Sequence, residues 1–241
     1  MSALARFAGL AGIGAGIALA GEFSLFMLSG FSPDTFTEGE GAVAFLRERG
    51  GYLRAAVLVG SLGAALTTVF VVGLASRLRD AAPTRAAATA YFGVMGGVGH
   101  GLVALTFWVG IPLLIGQASR DPGQTAAAVG GLSVVTSGAE AFGNLFLALS
   151  MAAAGWAMAS TKVLSAVAGW VGLAAAAFTL ARIVGVDTPA AFVAFFPSLV
   201  GAVIFRLWGG ISLVSSASTD VDPTADSAAE AETARSLRSA L

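Results

Sequence analysis

Long apolar stretches alternate with short polar ones along the whole chain until residue 214. A helix that crosses a bilayer needs about 20 consecutive, mostly apolar residues. The pattern therefore predicts spanning helices over about 4–29, 52–75, 87–116, 126–158, 163–186 and 190–214. The opening stretch, "LARFAGLAGIGAGIALAGEFSLFMLS", exceeds the ~7–15 apolar residues of a cleaved leader and is followed by no clear cleavage site, so it is expected to be retained. The fold class that follows is all-α, a polytopic transmembrane bundle of about six helices over residues 1–214.

The connections differ in character. "FSPDTFTEGEGAVAFLRERGG" (31–51) mixes Phe36, Val43, Phe45 and Leu46 with charges. It is too polar to span and too apolar for a plain loop, which predicts a short interfacial helix lying along the outer surface. Residues 215–241 are acidic, rich in Ala and Ser and poor in aromatics, the composition of a disordered tail. Arg77, Arg79 and Arg85 cluster tightly after the second helix. By the positive-inside rule this cluster places both termini in the cytoplasm.

Composition sharpens the picture. Of 241 residues, 56% are hydrophobic and 11% charged, where a soluble domain carries about 25% charged residues. The formal net charge of −1 leaves no electrostatic footprint for nucleic acid. There is no cysteine, which excludes disulfides and thiolate metal sites. Arginine greatly outnumbers lysine, and with abundant alanine this points to a GC-rich bacterial source and hence to the inner membrane. The 32 glycines fit helices that pack backbone to backbone in lipid.

Five ionisable residues interrupt the apolar stretches: Glu22, His100, Glu140, Arg182 and Arg206. Such groups are expensive in lipid, so they face the bundle interior and find partners. A rise of ~1.5 Å per residue sets Glu140 and His100 near the midplane, with Arg206 slightly toward the cytoplasm. Glu22 and Arg182 fall in the outer half. Depth thus predicts an intramembrane cluster of His100, Glu140, Asn144 and Arg206, and an outer pair of Glu22 with Arg182. In the fourth helix Ser133, Thr136, Ser137, Glu140 and Asn144 recur at spacings that share one face. That polar stripe is either a clamp between helices or the lining of a cavity. In the third, Gly93, Gly96, Gly97, His100, Gly101 and Ala104 share a face. It serves either close helix packing or a planar ligand held by His100.

Several chemistries drop out. His100 is the only histidine, so a bis-histidine haem is impossible within one chain. A haem or chlorophyll on His100 alone is allowed, but the sequence requires no cofactor and shows no metal set. Lys162, the only lysine, lies in a loop and cannot carry a retinal Schiff base. Neither a P-loop, a zinc-protease motif nor a nucleophile elbow is present, and no residue stands out as catalytic. Trp108, Trp156, Trp170 and Trp208 suit packing and interface anchoring.

Several segments resemble a bacterial membrane family known as domain of unknown function 4386. These are "LARFAGLAGIGAGIALAGEF", in which Glu22 matches an acidic residue near the end of the family's first helix, and "GGYLRAAVLVGSLGAALTTVFVVGLASRLR". The others are "EAFGNLFLALSMAAAGWAM" and "VLSAVAGWVGLAAAAFTLA". The likeness covers about residues 4–214. Lys162-Val163 stand where the family usually has a proline before its fifth helix. The resemblance implies a six-helix inner-membrane protein and brings no known reaction with it.

Three functional readings follow. The first is a non-enzymatic structural or accessory component of a membrane complex, partnered by the bilayer and other membrane proteins. The second is a small transporter or channel using the Glu140 stripe. The third is a lipid-, haem- or pigment-binding protein centred on His100.

Overall fold

The computed structural model describes residues 2–30, 39–110, 112–113, 116, 121–185 and 189–219. Its helices are α1 (Ser2–Ser29), α2 (Gly39–Leu78), α3 (Pro83–Leu105), α4 (Pro122–Thr161), α5 (Ala166–Val184) and α6 (Pro189–Thr219). All six are long and apolar enough to cross a membrane. Local chemistry sets several ends. Asp121 accepts a bond from the Gln124 amide at 3.0 Å, ahead of Pro122 in the first turn of α4. Lys162 stops that helix in the left-handed region at φ 56°. Ser165 caps α5 by accepting from the Ala168 amide.

Two stretches differ from the sequence pattern. Of residues 31–51, expected as a short interfacial helix, 31–38 lie outside the described residues and 39–51 continue into α2 without a break. Leu46 and Leu53 are seven residues apart, hence on one helix face, and both are buried with Phe26, Phe45, Phe107 and Leu132 around them. That apolar stripe gives the segment a protein surface to cover, so it stays helical. In the third span α3 widens into a π turn over Thr106–Gly110, just before Pro112, and residues 111, 114 and 115 near its expected end lie outside the described residues. A proline lacks the N–H that would continue the ladder and crowds the carbonyl four residues back, here that of Trp108. α6 runs past residue 214 to Thr219, and the expected disordered tail beyond it lies outside the described residues.

The helices form a ring. Each packs on its neighbours in sequence, α6 returns to α1, and α2 also meets α4 across the ring. The outer surface is apolar: Leu10, Ile17, Leu58, Val94, Trp170 and Phe196 are all exposed, as a lipid-facing surface requires. Trp156 is exposed as well, with the Arg85 guanidinium 5.5 Å from its ring centre. With six spans, the start of α1 and the end of α6 stand at one end of the bundle, where Gly9 of α1 lies against Val214 of α6.

That end is packed solid. Phe70, Leu74, Met158, Phe205 and Leu213 are buried together there. Backbones approach so closely that a side chain would not fit. A Cβ on Gly9 would stand 2.7 Å from the Gly210 carbonyl oxygen, and one on Gly210 would stand 2.6 Å from that of Gly9. Gly155 and Gly169 repeat the arrangement between α4 and α5, at 2.6 and 2.7 Å. Between α3 and α4, a Cβ on Gly99 would lie 2.6 Å from the Gly143 Cα. Buried hydroxyls add links, such as Ser150 Oγ donating to the Thr89 carbonyl at 2.8 Å. In the other half, Gly50, Gly51, Gly101, Gly131 and Gly138 have nothing within 4 Å of a Cβ position. There α2 and α4 supply the extra length: at ~1.5 Å per residue, each is roughly twice the hydrocarbon thickness.

This contrast is testable by substitution. Gly155→Ala forces a methyl against the Gly169 carbonyl and should destabilise by about 1–3 kcal/mol, the usual cost of overpacking. Gly138→Ala meets nothing and should leave the melting temperature in detergent unchanged or higher, since Ala is the better helix former.

Candidate functional site: a charged intramembrane cavity

All six helices line one cavity of about 300 Å³ in the half of the bundle away from the termini. Its walls are mostly apolar, with Phe23, Phe26, Phe107 and Phe195 among aliphatic side chains. Its polar groups come from every helix: Glu22 of α1, Ser61 of α2, His100 of α3, Glu140 of α4, Arg182 of α5 and Arg206 of α6. The two clusters inferred from depth are therefore one. Of the stripe on α4, Thr136, Ser137, Glu140 and Asn144 all line the cavity, while the Ser133 side chain lies outside what the structure describes.

The pairing differs from what depth suggests. Depth matches Glu140 with Arg206 or His100, and Glu22 with Arg182. In the folded chain Arg182 Nη2 lies 3.3 Å from Glu140 Oε1 instead. The Asn144 amide also donates to Glu140 Oε1, at 3.4 Å. The Arg182 guanidinium lies over the Phe195 ring, 5.2 Å from its centre. The reason is azimuth: α4 and α5 are neighbours in the ring, whereas α5 and α1 are separated by α6. The Arg182 and Glu140 side chains keep 25% and 52% of their exposure, so this pair faces open space and is not walled in.

Arg206 is the buried charge, only 7% exposed. Long helical side chains lean toward the N-terminus of their helix, and in α6 that direction leads from the packed half up into the cavity floor. Its Nε donates to Thr67 Oγ1 of α2 at 3.1 Å, and its Nη1 to the Ala202 carbonyl at 3.3 Å. Thr67 gives its own proton to the Gly63 carbonyl at 2.8 Å, which leaves a hydroxyl lone pair for the arginine. Nothing in the pattern of charges singles Thr67 out, because a threonine in "GAALTTVF" reads as ordinary helix.

His100 is half-buried. Its Nδ1 lies 3.0 Å from the Gly96 carbonyl, which can only accept. Nδ1 therefore carries the proton, and in the neutral ring Nε2 is the acceptor. The imidazole rests on α4 at Gly143, where a Cβ would stand 2.6 Å from Nδ1. Much of the glycine face around it is covered by neighbouring helices. Gly96 meets Leu147, Gly97 meets Thr68 and Gly93 meets Val71, so these three glycines serve helix packing, while Gly101 of the same face meets nothing within 4 Å. Among the described residues no cluster of three or more His, Asp and Glu could hold a metal ion.

Two expectations follow. Thr67→Val strands the buried Nε of Arg206 and should destabilise by ~1–3 kcal/mol. Thr136→Val should cost less, because that hydroxyl bonds only the Leu132 carbonyl of its own helix. Chemical or thermal unfolding in detergent reads both. A double-mutant cycle on Glu140→Gln and Arg182→Leu should give a coupling of no more than ~1 kcal/mol, as for exposed pairs. A coupling of ~3–5 kcal/mol would mean a sealed pair.

A family model described as "Domain of unknown function (DUF4386)" matches residues 6–208. No curated protein and no solved structure matches the chain significantly. The match runs from the first turns of α1 through Arg206, and so takes in all six helices and every charged group of the cavity. On that extent of agreement, this membrane protein belongs to the DUF4386 family.

Proposed function

We propose that the protein binds a small amphipathic organic molecule within its membrane-spanning bundle. The observation that carries this reading is the cavity. One hollow of about 300 Å³ is walled by all six helices, with mostly apolar sides and with charges of both signs. Sites for small molecules have that character, apolar walls with a few placed polar groups. A purely structural or accessory role explains the packed half of the bundle and gives no use for the hollow one. The Arg77, Arg79 and Arg85 cluster favours cytoplasmic termini in a bacterial inner membrane, and the cavity then faces the outside.

Transport is the second reading. A site reached from one side and closed by tight glycine contacts on the other is one of the two states that alternating access needs. The contacts that would have to part are those of Gly9 with Gly210 and of Gly155 with Gly169.

Ligand binding raises stability by mass action, by ~2.7 kcal/mol at a concentration one hundred times Kd. Among small amphipathic compounds screened by thermal shift in detergent, some should raise the melting temperature saturably. Ala104→Trp places an indole in the cavity that Ala104 lines and should abolish the rise. If no compound shifts the wild type and Ala104→Trp is itself stabilising, the cavity is a packing void and the reading fails.

A further inference from the structure

The charges of the cavity are not all spent on one another. Arg182 and Glu140 form an ion pair. No ion pair joins Arg206 to Glu22 among the described residues. A guanidinium carries five N–H donors. Thr67 takes the one on Nε of Arg206, and the Ala202 carbonyl takes one on Nη1. Nη2 meets no acceptor among the described residues, and Arg206, more than nine-tenths buried, lines the cavity. Glu22 lines the same cavity from α1. Its carboxylate lies on the bare backbone of Gly60, where a Cβ would overlap it, and no described group donates a hydrogen bond to it.

A free guanidinium edge and a free carboxylate thus share one apolar-walled hollow. Two like-charged ligand types fit poorly. A simple anion on Arg206 would leave Glu22 unmatched, and a simple cation on Glu22 would leave the open edge of the buried Arg206 unmatched. A molecule with both charges meets both groups, and each of its charged bonds is strengthened by the low-dielectric surroundings. The remaining apolar body has Phe23, Phe26, Phe107 and Phe195 to lie against. We propose that the cavity is a site for an apolar zwitterion of the α-amino-acid type, its carboxylate held by Arg206 and its ammonium by Glu22. This deepens the reading of the cavity as a ligand site and rests on it.

Four soluble probes with one phenyl body separate the possibilities: phenylalanine, 3-phenylpropionate, phenethylamine and 3-phenylpropanol. Equilibrium binding to the protein in lipid nanodiscs, corrected with empty nanodiscs, should show phenylalanine tighter than either singly charged analogue by roughly ten-fold or more, the usual gain from a charge-assisted bond. Glu22→Gln should bring phenylalanine down to the level of 3-phenylpropionate. Arg206→Gln should bring it down to that of phenethylamine. Because Arg206 also ties α6 to α2, Glu22→Gln carries the test alone if the arginine variant does not fold. If 3-phenylpropionate or phenethylamine binds as well as phenylalanine, or if only the neutral alcohol binds, the zwitterion assignment is overturned while the cavity still holds ligands. If none of the four binds and no compound of the thermal-shift panel stabilises the protein, the reading of the cavity falls with it.

Discussion

Apolar side chains gain nothing by leaving lipid for one another, because the lipid tails are as apolar as they are. Helices in a bilayer associate where their backbones can touch. Three helix contacts of this bundle show that constraint through paired glycines. Gly9 and Gly210 close α1 on α6, Gly99 and Gly143 close α3 on α4, and Gly155 and Gly169 close α4 on α5. These meetings draw the helices into a ring and pull it tight at the end that holds the termini. Toward the other end no glycine pair of this kind occurs among the described residues. There the helices present larger side chains inward, and these line the cavity. The glycine pairs make the seal, and their absence accompanies the hollow.

The hollow is what makes the charges tolerable. Arg206 rises from the packed half with Thr67 at its side and ends at the cavity floor. Arg182 and Glu140 stand higher, partly exposed and bonded to each other. In a bundle packed solid throughout, the same residues would be stranded in a medium that charges them heavily for ionisation. Cavity and charges therefore require each other.

Much of this could be read from the sequence. Glu140, with Thr136, Ser137 and Asn144 at helical spacing, had to face inward, and it does. The number of spans followed from their length. Pairing could not be read, because depth follows from rise along a helix while a partner is chosen by azimuth and by which helices are neighbours. Glu140 has Arg182 beside it for that reason, although Arg206 and His100 lie at similar depth. Thr67 and Gly60 were invisible for another reason. Their roles come from a single neighbour on another helix, Arg206 in one case and Glu22 in the other. The glycines around His100 fit two readings until the ring order showed that α2 and α4 cover them. The continuity of α2 through residues 39–51 was obscured by Glu48, Arg47 and Arg49, which look like a surface segment until Leu46 and Leu53 find their partners.

The bundle is closed at one end and hollow at the other. The chain has no cysteine, so single cysteines can report on it directly. Placed down α4 at Ser137, Asn144, Ser150 and Ala154, they can be titrated with a membrane-impermeant thiol reagent added from the side opposite the termini. Ser137 and Asn144 line the cavity, while Ser150 and Ala154 are buried in the packed half. Rapid labelling at the first two positions and none at the last two is the predicted result. Uniform protection along all four, or labelling that continues through Ala154, would contradict it.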